Sequence, residues 1–387
     1  MFYFNGGLLR YSNVKGVIMT SRINSRVIHQ AARNISPVGG WAAEAGGTTG
    51  GSEATSDDIY LVFSVSELRR ALSESGERPK IIQVYGLIDV SEGLPYQDQA
   101  DQKQRGIVYL NANTTLIGVT ENAKFIEGSI IIQDASNVIV HNIYIENPVD
   151  VDPQFEEGDG WNAEWDGLNI INSHHVWIDH VTFSDGRFTI DQYTEKDGWK
   201  FVQHDGALDI KRGSDYVTIS HCRFELHDKT ILIGHSDSNA EQDAGTMHVT
   251  FFNNYFTRII QRTPRVRFGS IHLYNNLFEQ DKSDPIYPYE YSYGLGYQSS
   301  ILSEKNIFLV NDLTAECRVM KAFNGGDKVN DDSSTFNHSL AELNNCGFDA
   351  DIGWVPPYAY DVVALSQEFT DHIRNQAGSG LPYGHLP

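Results

Sequence analysis

The chain has 387 residues, 40% of them apolar, enough to build a large core and too many for a disordered chain. Its 51 acidic residues against 29 Lys and Arg give a net charge of −22, a field that repels phosphate backbones and anionic lipid, so neither nucleic acid nor a membrane surface is an expected partner. No stretch reaches the roughly 18 to 20 uninterrupted apolar residues of a membrane span, which predicts a protein that stays in solution.

Residues 1–37 read as a leader of unclear role and residues 38–387 as one domain. The leader, MFYFNGGLLRYSNVKGVIMTSRINSR, has neither the charged start nor the apolar run of about 7 to 15 residues that mark a secretory signal. The Gly-rich stretch GGWAAEAGGTTGGSEA follows and reads as loop. The one clear helix is SVSELRRALSES, opened by Ser64 or Ser66, with Val65, Leu68 and Leu72 forming an apolar stripe. From Leu61 onward short strand-like runs dominate.

The informative feature is a repeated phrase: VIVHNIYI at Val138, VWIDHVTF at Val176, VTISHCRF at Val217, VTFFNNYF at Val249 and IHLYNNLF at Ile271. Each alternates apolar residues with period two and then places Asn or His at its fifth position, at Asn142, His180, His221, Asn253 and Asn275. The intervals are 38, 41, 32 and 22 residues, so the shortest gives the unit and the longer ones carry loop insertions. Period two excludes helical repeats, and an all-β solenoid, a parallel β-helix, follows. Equivalent residues on coils about 4.8 Å apart form ladders, and Asn tolerates the left-handed backbone of a sharp bend. His180 and His221 are therefore read as ladder members rather than metal ligands.

Insertions leave a β-helix at one edge, where long loops can form a groove over a strand face. Three charged groups lie beside such insertions. In NAEWDGLNI, Glu164 and Asp166 are two apart and share one side of an extended segment; in HDGALDI, Asp205 and Asp209 are four apart and again same-sided. On neighbouring coils these carboxylates would converge into the hard oxygen set that Ca2+ takes, and a divalent cation would relieve their repulsion. The third group is basic: QRTPRVRF supplies Arg262, Arg265 and Arg267, a local reversal of sign in an acidic chain. Lys229 follows Asp209 by 20 residues and is expected to stack about one coil on. Calcium-binding acids beside Lys and Arg describe a site for a polyanionic substrate bearing carboxylates.

Of the three cysteines, Cys222 reads as a buried free thiol and Cys317 can reach Cys346 across a polar loop. That bridge implies an oxidising compartment.

The phrases EEGDGWNAEWDGLNI, SHHVWIDHVTFSDG, VQHDGALDIKRGSDYVTIS, HDKTILIGHSDS and QRTPRVRFGSIHLYNNLF closely resemble the extracellular pectate lyases of the first polysaccharide lyase family, particularly those of soft-rot bacteria. The resemblance runs from about residue 38 to the end of the chain. It implies a right-handed parallel β-helix, calcium dependence, secretion, a monomer, and β-elimination of α-1,4-linked polygalacturonate to 4,5-unsaturated oligogalacturonides. It also implies roles. Asp166, Asp205 and Asp209 match the primary calcium ligands, with Glu164 at an auxiliary acidic position. Lys229 matches the substrate-binding lysine, Arg262 the proposed general base and Arg267 the arginine that grips the substrate carboxylate, while Arg265 has a supporting, substrate-side role. The WIDH phrase, Trp177 to His180, is assigned to packing. A guanidinium is normally protonated, so base chemistry at Arg262 relies on crowding by Lys229, Arg267 and the metal, and favours an alkaline optimum. Pectin lyases share the fold but largely replace the calcium acids, which this chain keeps; a hydrolytic polygalacturonase would need its own carboxyl pair, and a non-catalytic adhesin would not need Lys229 with Arg262 and Arg267.

Overall fold

The computed structural model describes Arg33 and residues 37–381, so most of the assigned leader lies outside the described residues. The chain winds as a right-handed parallel β-helix of three sheets. The first sheet has ten strands and contains all five repeated phrases, in Ser136–His141, His174–Asp179, Asp215–Ser220, His248–Phe252 and Ser270–Tyr274. Val138, Val176, Val217, Val249 and Ile271 pair in unbroken register, and Ile301 and Val329 continue the row. The second sheet also has ten strands and ends in an antiparallel hairpin, whereas the third has eight. Parallel pairing buries inward residues from every coil, which is why these strands are rich in Val and Ile. A stack of Phe183, Phe224, Phe256, Phe278 and Phe308, with centroids 4.8 to 5.0 Å apart, runs along the second sheet's inner face.

The five Asn and His positions form the bend between first and second sheets, all left-handed, with φ from 49° to 54°. The amide ladder itself lies one residue later, which corrects the expectation. Asn254 Nδ2 donates to Asn276 Oδ1 at 2.9 Å and Asn276 Nδ2 to Asn306 Oδ1 at 2.9 Å, each residue fully buried. Cys222 occupies the same ladder position one coil earlier as a buried free thiol, its N–H donating to Asn254 Oδ1 at 2.8 Å. The bend residues interact more loosely: His180 stacks on His221 at 4.7 Å, and Asn253 Nδ2 lies 3.1 Å from His221 Nε2.

The expected helix spans Val65–Ser75, with Ser64 as cap accepting from the Glu67 N–H at 3.3 Å, and Val65, Leu68 and Leu72 buried. It is not the only clear helix. Gln99–Arg105 and Gln367–Gln376 also form, the latter seating Phe369 and Ile373 against Tyr255, Leu277 and Ile307 on the outside of the second sheet. The Gly-rich stretch straps the outside of the first sheet, where the Trp41, Ala42 and Gly51 N–H groups donate to Thr250, Thr218 and Thr115 hydroxyls. A Cβ at Gly51 would lie 2.0 Å from the Lys80 carbonyl oxygen, so this approach requires glycine. Cys317 and Cys346 form a disulfide.

Long insertions leave the second sheet before the third. Residues 147–167 and 185–207 carry the antiparallel hairpins Gln154–Glu156 with Gly160–Asn162 and Glu195–Lys196 with Trp199–Lys200, which rise beside the third sheet.

Replacing Asn276 by Ala removes the acceptor of the Asn254 N–H and Nδ2 groups and the donor to the Phe251 carbonyl. Leaving these buried groups unpaired is expected to cost about 2 to 4 kcal/mol, read as a lower urea midpoint with unchanged slope.

Candidate functional site

The third sheet presents the charged face. In strand Leu208–Lys211, Leu208 and Ile210 are fully buried, so Asp209 and Lys211 project from the opposite side. Asn169, Asp209, Leu232 and Arg265 form one cross-coil row. Asp166 and Asp205 lie in the segments just before strands Leu168–Ile171 and Leu208–Lys211. Their coils are aligned there by the Gly167 N–H donating to the Gly206 carbonyl at 3.0 Å.

Lys211 bridges the acids, its Nζ 3.0 Å from Asp166 Oδ2 and 2.8 Å from Asp209 Oδ2. The Gly206 N–H donates to Asp166 Oδ1 at 2.7 Å. A side chain at Gly206 would place its Cβ 2.7 Å from both Asp166 Oδ1 and Asp209 Oδ1, so the two carboxylates close over bare backbone. One ammonium does not balance three acids. Burial, then the charges of Asp166 and Asp209, push the Asp205 carboxyl up to about 7, with Lys229 and Lys211 opposing. Burial and Asp166 raise Asp209 to about 6, and the same acids hold the Lys211 ammonium well above its ordinary value against the cost of burial. Three carboxylates with surplus negative charge match the donor chemistry of a hard divalent cation.

The cations lie two coils further along and at the adjoining bends. Arg265 is half-buried with its guanidinium 4.1 Å from the Phe323 ring centroid, and burial together with the charges of Arg267 and Arg262 lowers its pKa. Arg262 stands at the bend into the third sheet with φ of 65°. Among the described residues neither Arg262 nor Arg265 has a carboxylate within 4.0 Å, and the buried Nε of each has no hydrogen-bond partner. Arg267 differs: its Nε donates to Asp237 Oδ1 at 2.6 Å and Nη1 to the Gly234 carbonyl at 2.9 Å, while Asn324 donates to the other Asp237 oxygen.

Lys229 does not stack on Asp209. It ends strand Arg223–Lys229 of the second sheet, paired with Gln261, and reaches the site from the bend, with Nζ 2.6 Å from Asn162 Oδ1 on the first hairpin. Leu232 takes the position next to Asp209. Glu164 is exposed and accepts from Gln99 Nε2 at 3.1 Å on helix Gln99–Arg105, away from the Lys211 bridge.

A second group of donors, His141, Asp179 and His180, lies at the bend of the first sheet. Asp179 Oδ2 is 2.9 Å from His141 Nδ1 and 2.6 Å from His180 Nδ1, and Asp179 Oδ1 accepts from Ser220 Oγ at 2.5 Å. Those separations are closer than ligands stand around an ion, although the two buried His141 ring nitrogens make no well-directed hydrogen bond. Burial would raise the Asp179 carboxyl, but His180, His141 and His221 overcome it and hold it well below the ordinary range. Trp177 Nε1 donates to the same Ser220 hydroxyl at 2.8 Å, so the WIDH phrase packs the coils.

A pectate lyase family model matches residues 13–381. The chain belongs to the pectate lyase family. Pectate lyase A of Dickeya chrysanthemi is 52% identical over 95% of this chain and 94% of its own length. The pectate lyase of Bacillus subtilis (strain 168) is 33% identical over 88% and 91% respectively. A solved pectate lyase bound to a hexasaccharide superposes with a TM-score of 0.82 at 32% identity, covering 88% of this chain and 96% of that one. This pectate lyase is thus a polysaccharide lyase on the fold its repeats predict, and among its described residues no helix is long and apolar enough to cross a membrane.

Several parts of the candidate site were missed in the sequence. Lys211 stands two residues after Asp209, so strand parity alone puts it on the same side. Asp237 comes from a loop and Asn162 from a short hairpin inside an insertion, where no coil periodicity signals position.

The raised carboxyls give a test. Asp205 and Asp209 bind protons in the folded chain at a pH where the unfolded chain, near 3.8, has released them, so with chelator present their contribution to stability falls as pH rises from about 4 through about 7. Asp209→Asn is expected to raise the melting temperature of the chelated protein at pH 8, on the order of 2 °C or more. That gain should shrink towards pH 4.5 in differential scanning calorimetry.

Proposed function

We propose that this pectate lyase is calcium-dependent and cleaves α-1,4-linked polygalacturonate by β-elimination, leaving 4,5-unsaturated oligogalacturonides. The observation that carries the reading is the juxtaposition, on the third sheet and the segments leading into it, of under-neutralised Asp166, Asp205 and Asp209 with Arg262 and Arg265, two arginines without carboxylate partners among the described residues. Acids that need a cation beside cations that need an anion suit a uronate bound partly through metal.

Asp166, Asp205 and Asp209 would hold the calcium ion, with Glu164 as an auxiliary acid at the rim. When bound, calcium neutralises a substrate carboxylate and stabilises the negative charge that develops beside it during proton removal. Lys229, oriented by Asn162, binds the substrate from the bend. Arg267, already fixed by Asp237 and Gly234, has Nη2 to offer a uronate carboxylate, and Arg265 adds charge from the neighbouring position. Arg262 takes the proton from the carbon next to the carboxylate, and the glycosidic oxygen leaves from the adjacent carbon, closing the 4,5 double bond and taking up a proton from water. The hexasaccharide bound to the solved relative supports an oligosaccharide as the substrate class.

We also read residues 38–387 as one domain, and the protein as a monomer, in keeping with the family resemblance. Secretion is supported by the Cys317–Cys346 disulfide, a bond that persists in oxidising compartments.

The unsaturated product absorbs in the ultraviolet, so activity on polygalacturonate with and without chelator is the first test. Chelation is expected to abolish it, and undiminished activity in chelator would overturn calcium dependence. Asp166→Asn and Asp209→Asn should shift the calcium requirement upward. Arg262→Lys should lower kcat by about 10²- to 10⁴-fold with little change in KM; a raised KM with intact kcat would make Arg262 a binding residue instead.

A further inference from the structure

Beneath the carboxylates lies a buried polar chain that the proposed chemistry does not use. Asp185 follows strand Thr182–Ser184 of the second sheet and is wholly buried, as is His227 on the next coil. His227 Nδ1 lies 2.5 Å from Asp185 Oδ1, and His227 Nε2 lies 2.8 Å from the Asp205 carbonyl oxygen. The Asp205 carbonyl can only accept, so Nε2 donates to it, while Nδ1 faces Asp185 with Asn147 Nδ2 also 3.1 Å away. Asp185 is itself held: Tyr287 donates its hydroxyl to Oδ2 at 3.0 Å from a later insertion, and Asn147 donates to Oδ1 at 3.1 Å from the coil before.

Burying such a pair is costly, and in many proteins an apolar replacement is no less stable, so stability alone is a weak account of it. Its end point is more informative. Asp166 has a carboxylate oxygen fixed by the Gly206 N–H, and Asp209 sits on a strand with Oδ1 accepting from the Leu232 N–H at 3.2 Å. Asp205 has neither support. It lies off the strand, and among the described residues no hydrogen bond reaches its carboxylate oxygens. Its position depends on its backbone, and His227 holds that backbone from below. The preceding residue is pinned as well, His204 Nδ1 and Nε2 lying 2.9 and 2.6 Å from the Pro148 and Phe188 carbonyl oxygens.

We propose that Tyr287, Asp185 and His227 form a positioning relay for Asp205, anchoring its peptide to the core so that its carboxylate stands in the cation-binding array without having to be ordered when the ion arrives. The inference rests on the reading of Asp205 as a calcium ligand. Groups that orient a metal ligand from outside the coordination sphere are worth about 10- to 100-fold in metal affinity when removed.

The test is calcium chloride titrated calorimetrically into the full chain without substrate, which separates dissociation constant from stoichiometry. His227→Gln and Asp185→Asn should weaken calcium binding by about 10- to 100-fold. Tyr287→Phe, which deletes one hydroxyl, should weaken it less but measurably. A purely structural role would instead lower the stoichiometry, as fewer chains fold, and leave the dissociation constant of the folded chains at the wild-type value; that result overturns the relay. Should His227→Gln and Asp185→Asn not fold, Tyr287→Phe decides the matter in the same way. Wild-type chain that binds no calcium, or binds it equally with Asp209→Asn, would overturn the reading of the site and the relay together, whereas normal wild-type binding with unchanged relay variants overturns the relay alone.

Discussion

Coils of a parallel β-helix follow one another at the strand spacing of about 4.8 Å, so a side chain on one coil is within Coulomb reach of its counterpart on the next. This spacing governs what the third sheet can carry. Asp166 and Asp205 precede equivalent strands on adjacent coils, and Asp209 follows within the second of them. The fold brings them together whether or not the charges favour it. Lys211 answers part of that repulsion, and the raised carboxyls of Asp205 and Asp209 register the rest. Two coils on in the same row stands Arg265, with Arg262 and Arg267 on the same coil beside it. A β-helix can therefore set opposite charges side by side, each set by itself unstable, and hold them apart from one another by backbone alone.

The same stacking explains how the fold tolerates polar groups inside. Asn254, Asn276 and Asn306 satisfy one another in a column, and Asp179 is surrounded by His141, His180, His221 and Ser220. Each column works because the next coil supplies a partner at hydrogen-bond distance. The relay through His227 differs only in its terminus, which is the backbone of a residue at the functional face rather than another column member.

Much of this was legible in the sequence because the repeated phrases report two local demands at once: period two for the buried strand and Asn or His for a left-handed bend. The ladder register was misjudged by one residue because the bend residue and the ladder residue are both Asn in VTFFNNYF and IHLYNNLF. The grouping of the carboxylates and of the arginines was legible from their spacing in short extended segments, whereas the roles proposed for them come from the family resemblance. Lys229 was displaced because the coil from Asp209 to its partner Leu232 is 23 residues long, so a residue 20 further on falls three short, at the end of the preceding strand. Helix Gln367–Gln376 was overlooked because only Phe369 and Ile373 are apolar on its buried side, though Ser366 marks its start. The hydrogen bonds of Asp237, Asn162 and Glu164 depend on loop paths that no periodicity encodes.

If the surplus carboxylates beside the third sheet hold a divalent cation next to the arginines, a crystal grown with calcium and measured for anomalous scattering will show where it sits. A peak at Asp166, Asp205 and Asp209 is expected. A cation at Asp179 with His141 and His180, and none at the three carboxylates, would overturn the assignment.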